Sequence, residues 1–450
     1  MEAETAGRDS LNAAATAGAK PAPGPLARVY RNAAKLLGGK AVAGVIGLGY
    51  LSLAARTLGA GDYGVLVLIN FYALLVGNFC VLQGWHTLVR YGSKELMADA
   101  PKDFERLFGF TARVEIASGI VSIALAALGA HWAGHLFGWW PPALDALAAV
   151  YALAIISNMQ TTPAGVLNLL GRFDLLSIQQ TCGPIIRLFG ALLAWALDGG
   201  LPGFVLAWLA GSIIEGLAQW LFAFWALRQR GFELSLWRSG GGVRARYPGI
   251  WRFLIMNNID IGLTDASNRV TPLAVGALLS PAATGLYHLA LRIGMVLQQP
   301  VLVLTRTVYP ELAALAARGE HAAMRRLALR TGLIAASAGL GVTAVFIFGG
   351  KPLLHLIGGS GFEAAYGLLL LIALARTVHL LGFPFNSAVV AAGQPNVTLR
   401  INLAVTLTLL PVLFWLLRNT ELYGAGLHAI AYAVFSVGAL GLALWRRTPH

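Results

Sequence analysis

The chain has 450 residues, of which 57% are hydrophobic and 12% charged; its mean hydropathy is +0.68 and its formal net charge +13. Soluble domains carry about 25% charged residues, and a water-soluble fold of this length cannot hide so much apolar surface. Composition therefore excludes an ordinary soluble protein and makes lipid the solvent.

In chain order, residues 1–27 are rich in Ala, Gly and Pro, show no periodicity and lack the apolar core of a cleavable signal peptide. They read as a disordered cytoplasmic tail. Twelve apolar segments follow, at 36–55, 63–83, 109–130, 143–169, 175–197, 202–227, 250–278, 285–308, 328–350, 363–391, 397–417 and 424–445. A membrane span takes about 20 apolar residues. Backbone inside lipid must satisfy its own hydrogen bonds, so these segments are expected to be helices. The alternation of a transmembrane barrel is absent from the sequence. Cys80 and Cys182 lie inside apolar runs without metal or disulfide spacing and read as small buried hydrophobes.

Lys and Arg sort the loops. One side, which includes both termini, holds 24 of the 33 basic residues, against 3 (Arg56, Lys351 and Arg418) on the other. The positive-inside rule places both termini in the cytoplasm. Much of the net charge is then topology, and no nucleic-acid partner is expected. The longest outer loop, 131–142, reads HWAGHLFGWWPP, with tryptophans suited to the membrane interface. His131 and His135 are four apart in it, but two ligands make no metal site, and no metal or cofactor is expected. No loop is large enough for a soluble catalytic domain, which argues against a membrane glycosyltransferase or polymerase. The glycines of GVIGLG at 44–49 lie inside a span with no strand before them, so they suit close helix contact rather than a nucleotide loop.

The stretch AARTLGAGDYGVLVL (54–68) is echoed by VGALLSPAATGLYHLA (275–290). Gly64 and Gly285 are 221 residues apart, as are Pro163 and Pro384; Gly171 and Gly393 are 222 apart, and Gly119 and Gly339 are 220 apart. This offset covers six spans. Six is even, so the halves share one orientation and an axis along the membrane normal relates them. The break at 59–64 is then an outer hairpin between the first two spans, with turn chemistry from Asp62 and the glycines. The expected fold is an all-α polytopic membrane protein with twelve transmembrane helices in two six-helix lobes related by a pseudo-two-fold along the membrane normal. The lobes are predicted at 28–227 and 250–450, with a basic cytoplasmic linker at 228–249.

The run KLLGGKAVAGVIGLGYLSLAARTLGAGDYGVLVL with LVRYGSKEL, the second-half ALLSPAATGLYHLA, YPELAAL and AAGQPNV resemble the polysaccharide transporter, or oligosaccharide flippase (Wzx-like), family. This family belongs to the multidrug/oligosaccharidyl-lipid/polysaccharide exporter superfamily, and the resemblance covers most of residues 28–446. It implies two lobes around a central cavity that opens alternately to either side. The implied cargo is a polyprenyl-pyrophosphate-linked oligosaccharide, flipped across the bacterial inner membrane for cell-surface or exopolysaccharide synthesis. The implied partners are that lipid-linked oligosaccharide, membrane lipid, and a polysaccharide polymerase or export machinery. The chain is expected to be a monomer and not an enzyme. Twelve spans favour this branch over the related lipid II flippases, which usually carry two more. Cation-coupled multidrug or metabolite exporters also have twelve and are the rival.

Charges at bilayer depth cost about 2.5 kcal/mol or more, so each asks for a reason. Arg113 and Arg306 lie near helix ends and can snorkel to water. Arg187, Arg269, Arg292 and Arg376 lie deeper and are expected to face a cationic cavity, since Arg binds phosphate oxygens through paired donors. Lys40, near the cytoplasmic mouth, and Asn257 and Asn258 are further substrate candidates. The intramembrane acids are Glu115, Glu215, Asp260 and Asp265. Asp265 and Arg269 share a helix face and can pair. Asp260 has no local partner and is the first candidate for a protonatable coupling residue, with Asp265 and Glu215 behind it. Asn268 extends the polar stripe of the same span. The net positive intramembrane charge argues against the cation-exporter rival.

Overall fold

The computed structural model describes residues 25–98, 100–232, 242–295 and 299–447, with side chains for all of these except 25–37, 260, 263–268, 299–307, 395 and 447. The predicted tail thus lies almost wholly outside the described residues, as do the side chains of Asp260, Asp265, Asn268 and Arg306.

Apolar runs in lipid satisfy their amides only along themselves, and no strand occurs among the described residues. α1 (Pro25–Cys80) is two helices folded back at Gly59, whose φ of 70° suits glycine. A break at 81–84 separates it from α2 (Trp85–Met97). After α3 (Pro101–Phe137) comes an interrupted span: α4 (Asp145–Tyr151), a 3-10 segment (Ala152–Asn158) and α5 (Thr161–Leu169). α6 (Phe173–Ala196) and α7 (Gly200–Gln229) complete the first half, and the single turn α8 (Val243–Arg246) leads on. The second half comprises α9 (Ile250–Leu278), α10 (Pro281–Gly294), α11 (Gln299–Ala317), α12 (His321–Gly358), α13 (Tyr366–Ala391) and α14 (Pro395–Arg447). α14 folds back at Thr420 and Glu421.

Among the described residues, 7 helical stretches are long and apolar enough to cross a membrane, and two of these, within the hairpins α1 and α14, cross twice. α6, α9 and the α10–α11 pair are diluted by polar residues and provide the rest, so each of the twelve predicted spans has its helix. The predicted loop at 84–108 is largely helical, because hydropathy marks only the lipid-immersed part of a helix.

The repeated landmarks have physical causes. Gly171 and Gly393, with φ of 69° and 78°, end α5 and α13 in the same way. Arg172 N bonds Leu167 O at 2.8 Å and Gln394 N bonds Val389 O at 3.2 Å, the capping bond of a left-handed C-terminal turn. Gly119 lets Met159 close on α3, and Gly339 lets Thr377 and Leu380 close on α12. Gly64 and Gly285 touch each other. A side-chain carbon on Gly64 would meet the Pro281 carbonyl, one on Gly285 the Ala60 carbonyl, and each would lie 3.2 Å from the other glycine's backbone nitrogen. Residues 60 and 281 are themselves one repeat apart. A contact in which each residue reciprocates the other is what a two-fold axis passing through it produces.

The buried apolar residues form three clusters. One mixes both halves, with Tyr63 and Leu66 beside Leu289 and Phe362. A second holds Leu88, Phe104, Val166, Ala223 and Ile250, and a third holds Leu312, Met324, Val389 and Leu440. The halves therefore share a core at one end and keep separate cores at the other. The shared end carries the Gly59 reversal, the side that loop charge assigns to the exterior. Polar bonds close it further: Tyr63 Oη to His288 Nδ1 (2.7 Å), Ser52 Oγ to Ile357 O (2.7 Å), Arg56 to the Leu356 carbonyl (2.7 Å) and Trp139 Nε1 to Leu273 O (3.1 Å).

Candidate functional site

Two interrupted helices meet inside the first half. Irregular backbone at membrane depth is tolerated where protein or a wet cavity satisfies it, and here several freed groups have side-chain partners. Leu82 N donates to Ser118 Oγ (2.9 Å), Gln83 N to Asn258 Oδ1 (2.6 Å) and Gly84 N to Thr161 Oγ1 (3.0 Å). At the other break, Met159 O accepts from Trp220 Nε1 at 2.6 Å. Glu115, fully buried, caps α5: its carboxylate accepts from Thr161 N (2.7 Å), Thr161 Oγ1 (2.9 Å) and Thr162 N (2.8 Å). A negative charge there meets the positive end of the helix. Gly84 can only be small, because a side-chain carbon would run into Thr162.

Between the breaks lies a cavity of about 320 Å³. Five glutamines line it: Gln83 and Gln160 from the two breaks, Gln179 and Gln180 from α6, and Gln219 from α7. Trp85, His86 and Thr161 add an aromatic wall and further polar groups, and among the described residues no carboxylate lines it. Gln179 Nε2 bridges Gln160 Oε1 (2.7 Å) and the Glu215 carbonyl (3.1 Å). Gln219 is 1% exposed, yet its Nε2 has no partner, and Gln180 Oε1 is likewise buried without one. A buried unmatched donor or acceptor costs roughly 1–3 kcal/mol.

The predicted site residues are distributed around this cavity and along the second half. Asn258 clamps the first break, returning a bond from its Nδ2 to Gln83 O (3.2 Å); its neighbour Asn257 has a buried Nδ2 without a partner. Arg187 and Glu215 pair with one another at 3.0 Å, between α6 and α7, and Arg187 also donates to Ser212 Oγ (3.0 Å). Arg269 is half-buried on α9 and Lys40 exposed on α1. Arg292 is exposed on α10 one turn below His288, the residue bonded to Tyr63 of the first half. Arg376 is half-buried on α13, near Tyr287 of α10. Among the described residues neither Arg292 nor Arg376 has a hydrogen bond or ion pair.

A search for charged intramembrane residues passes over the glutamines. The signal was available: Gln160, Gln179, Gln180 and Gln219 are uncharged amides inside predicted spans.

Below the cavity, α2 meets the start of α9. Glu95 accepts from Tyr247 Oη (2.7 Å) and Arg246 (3.1 Å), and Arg246 reaches Asp103 at 2.9 Å. Burial would raise the Glu95 carboxyl, but the Tyr247 and Arg246 bonds outweigh it and hold it below the usual carboxylate range. The Arg90 guanidinium stacks over Phe253 at 4.5 Å.

No protein-family model matches the chain. The inner membrane protein YghQ of Escherichia coli strain K12 is 32% identical over 358 residues, which cover 77% of this chain and 97% of that one. The chain belongs to the YghQ family. Solved structures extend the likeness of this YghQ-family chain to its fold. An inward-facing multidrug resistance MATE transporter of the MOP superfamily superposes with a TM-score of 0.71 at 13% identity, over 92% of this chain and 96% of that one. The lipid II flippase MurJ, in an inward closed conformation, gives 0.70 at 12% identity, over 90% and 86%. An outward-facing MATE structure gives 0.60 at 13%, over 94% and 95%. The YghQ-family chain is thus a multi-pass membrane protein with the MATE and MurJ fold.

Proposed function

We propose that this chain is a flippase that moves polyprenyl-pyrophosphate-linked oligosaccharide units across the bacterial inner membrane by alternating access. The observation that carries the reading is the amide-lined cavity. A sugar hydroxyl both donates and accepts, so the glutamine side chains that line the cavity suit it. Trp85 offers the ring face against which sugars pack. A cation-coupled drug exporter would place acids at such a site; of the intramembrane acids whose side chains are described, Glu115 is consumed by helix capping and Glu215 by Arg187.

In this reading, the separated cores form the cytoplasmic mouth, and both termini are cytoplasmic. The pyrophosphate exchanges hydration for Arg292 and Arg376, while the sugars reach the glutamines and the polyprenyl tail stays in lipid. Parting of the Gly64–Gly285 contact then exposes the headgroup to the other side. Arg187 acts by holding α6 to α7 rather than by touching cargo. The glycan supports cell-surface or exopolysaccharide synthesis, with a polymerase or export machinery taking the product.

The test is deletion of the gene and identification of lipid-linked oligosaccharide that builds up in the inner leaflet. Restoring the gene with Gln219→Leu should leave the protein folded and the flipping rate about tenfold lower, since one neutral hydrogen bond to a guest is lost. Retention of a drug instead of a glycan intermediate would move the assignment to the exporter branch.

A further inference from the structure

We propose that His131, His135 and Asp145 form a binding site for a divalent transition-metal ion, zinc by its donor set, at the outer end of the first half. The histidines lie one turn apart near the end of α3, so their rings share a face, with centroids 4.4 Å apart. Asp145, the first residue of α4, brings Oδ2 to 2.6 Å from His131 Nδ1 and 3.5 Å from His135 Nε2. One donor atom from each residue lies within 4.8 Å of the other two. Donors in a tetrahedral zinc site are about 3.4 Å apart. The Asp145–His135 edge is already near that length, and the Asp145–His131 edge lengthens when the metal replaces the shared proton. The second Asp145 oxygen accepts from Trp140 Nε1 at 3.1 Å, the kind of bond that orients a metal-binding carboxylate. The histidine side chains are 60% and 45% exposed, which gives an ion a way in and leaves the fourth position to water. Two imidazoles and one carboxylate favour zinc, nickel or copper over magnesium or calcium. Sequence spacing supplies two ligands; the third arrives only when α4 folds back against α3. The ion would pin the turn that carries Trp139, whose indole reaches the Leu273 carbonyl of the second half.

The test uses the full chain carrying Cys80→Ser and Cys182→Ser, purified without a histidine tag, stripped with EDTA and titrated calorimetrically with zinc chloride. One zinc per chain is expected, with no response to magnesium chloride at the same concentration. His131→Ala with His135→Ala should abolish the heat. Asp145→Asn should weaken binding about tenfold or more, and Trp140→Phe, which keeps all three ligands, about tenfold. Should the double variant fail to fold, His135→Gln decides, since it preserves the helix and most of the volume. Zinc uptake undiminished in that variant, equal binding of magnesium, or no uptake by the parent overturns the proposal.

Discussion

At the shared end the two halves touch backbone to backbone. Gly64 rests on Pro281, Gly285 on Ala60, and fully buried Tyr63 and Phe362 pack around them. At the other end α8 and the first turns of α9 touch the first half through side chains with charge, polarity or an aromatic ring: Asn258 on Gln83, Arg246 on Glu95, Phe253 under Arg90. The first contact depends on shape and tolerates no added volume. The second depends on partners that water, salt and protons can compete for. The alternation between two openings proposed above needs one contact that is either made or lost as a unit and one that persists while bending. The glycine seam suits the first role and the α9 attachment the second.

The sharpest way to break the comparison is Gly285→Val. Its side chain would collide first with the Ala60 and Gly64 backbone, which cannot give way as a side chain can, so the seam should part. Overpacking of this kind costs about 1–3 kcal/mol, read as a lowered melting temperature in detergent. Ser52→Cys, bonded at the seam in the parent as Ser52, should become labelled by a membrane-impermeant maleimide only when Gly285→Val is present. A smaller effect is expected from Asn258→Leu. The amide of Gln83 loses its acceptor while the fold keeps its volume, a loss of about 1–2 kcal/mol, with seam labelling unchanged. The smallest belongs to Glu95. Its folded carboxyl is held below the usual range, so its contribution is complete above the ordinary glutamate value near 4.3 and is lost as pH falls through the lowered folded value. Glu95→Gln should remove this acid sensitivity of the melting temperature and lower stability at neutral pH by the same small contribution, small because the Arg246 guanidinium is largely solvated. Seam variants should show no such pH dependence.

Spacing alone made the duplicated plan legible, because glycine at a reversal, a helix end or a close approach is demanded by backbone geometry that recurs in both halves. The seventh span, 250–278, coincides with α9. The break at 81–84 falls at the predicted end of the second span, whereas the break at 152–160, inside the predicted span 143–169, was not legible. The groups that stabilise both, Ser118, Asn258, Trp220 and Glu115, come from elsewhere in the chain. The pairing of Arg187 with Glu215, 28 residues away, was hidden for the same reason, whereas spacing reveals partners only within one helix. The candidate cavity escaped notice because an uncharged amide in a span looks like a packing residue until two broken helices are seen to converge on it.

The Glu115 cap has a mechanical consequence. Its carboxylate grips Thr161, and the hydroxyl of Thr161 in turn receives the amide of Gly84, so a single acid pins both discontinuities to α3. The two joints cannot flex independently. Anything lodged between Gln83 and Gln160 pulls on a common pivot, and a tilt imposed on one bent helix is relayed to the other as a rigid lever would relay it.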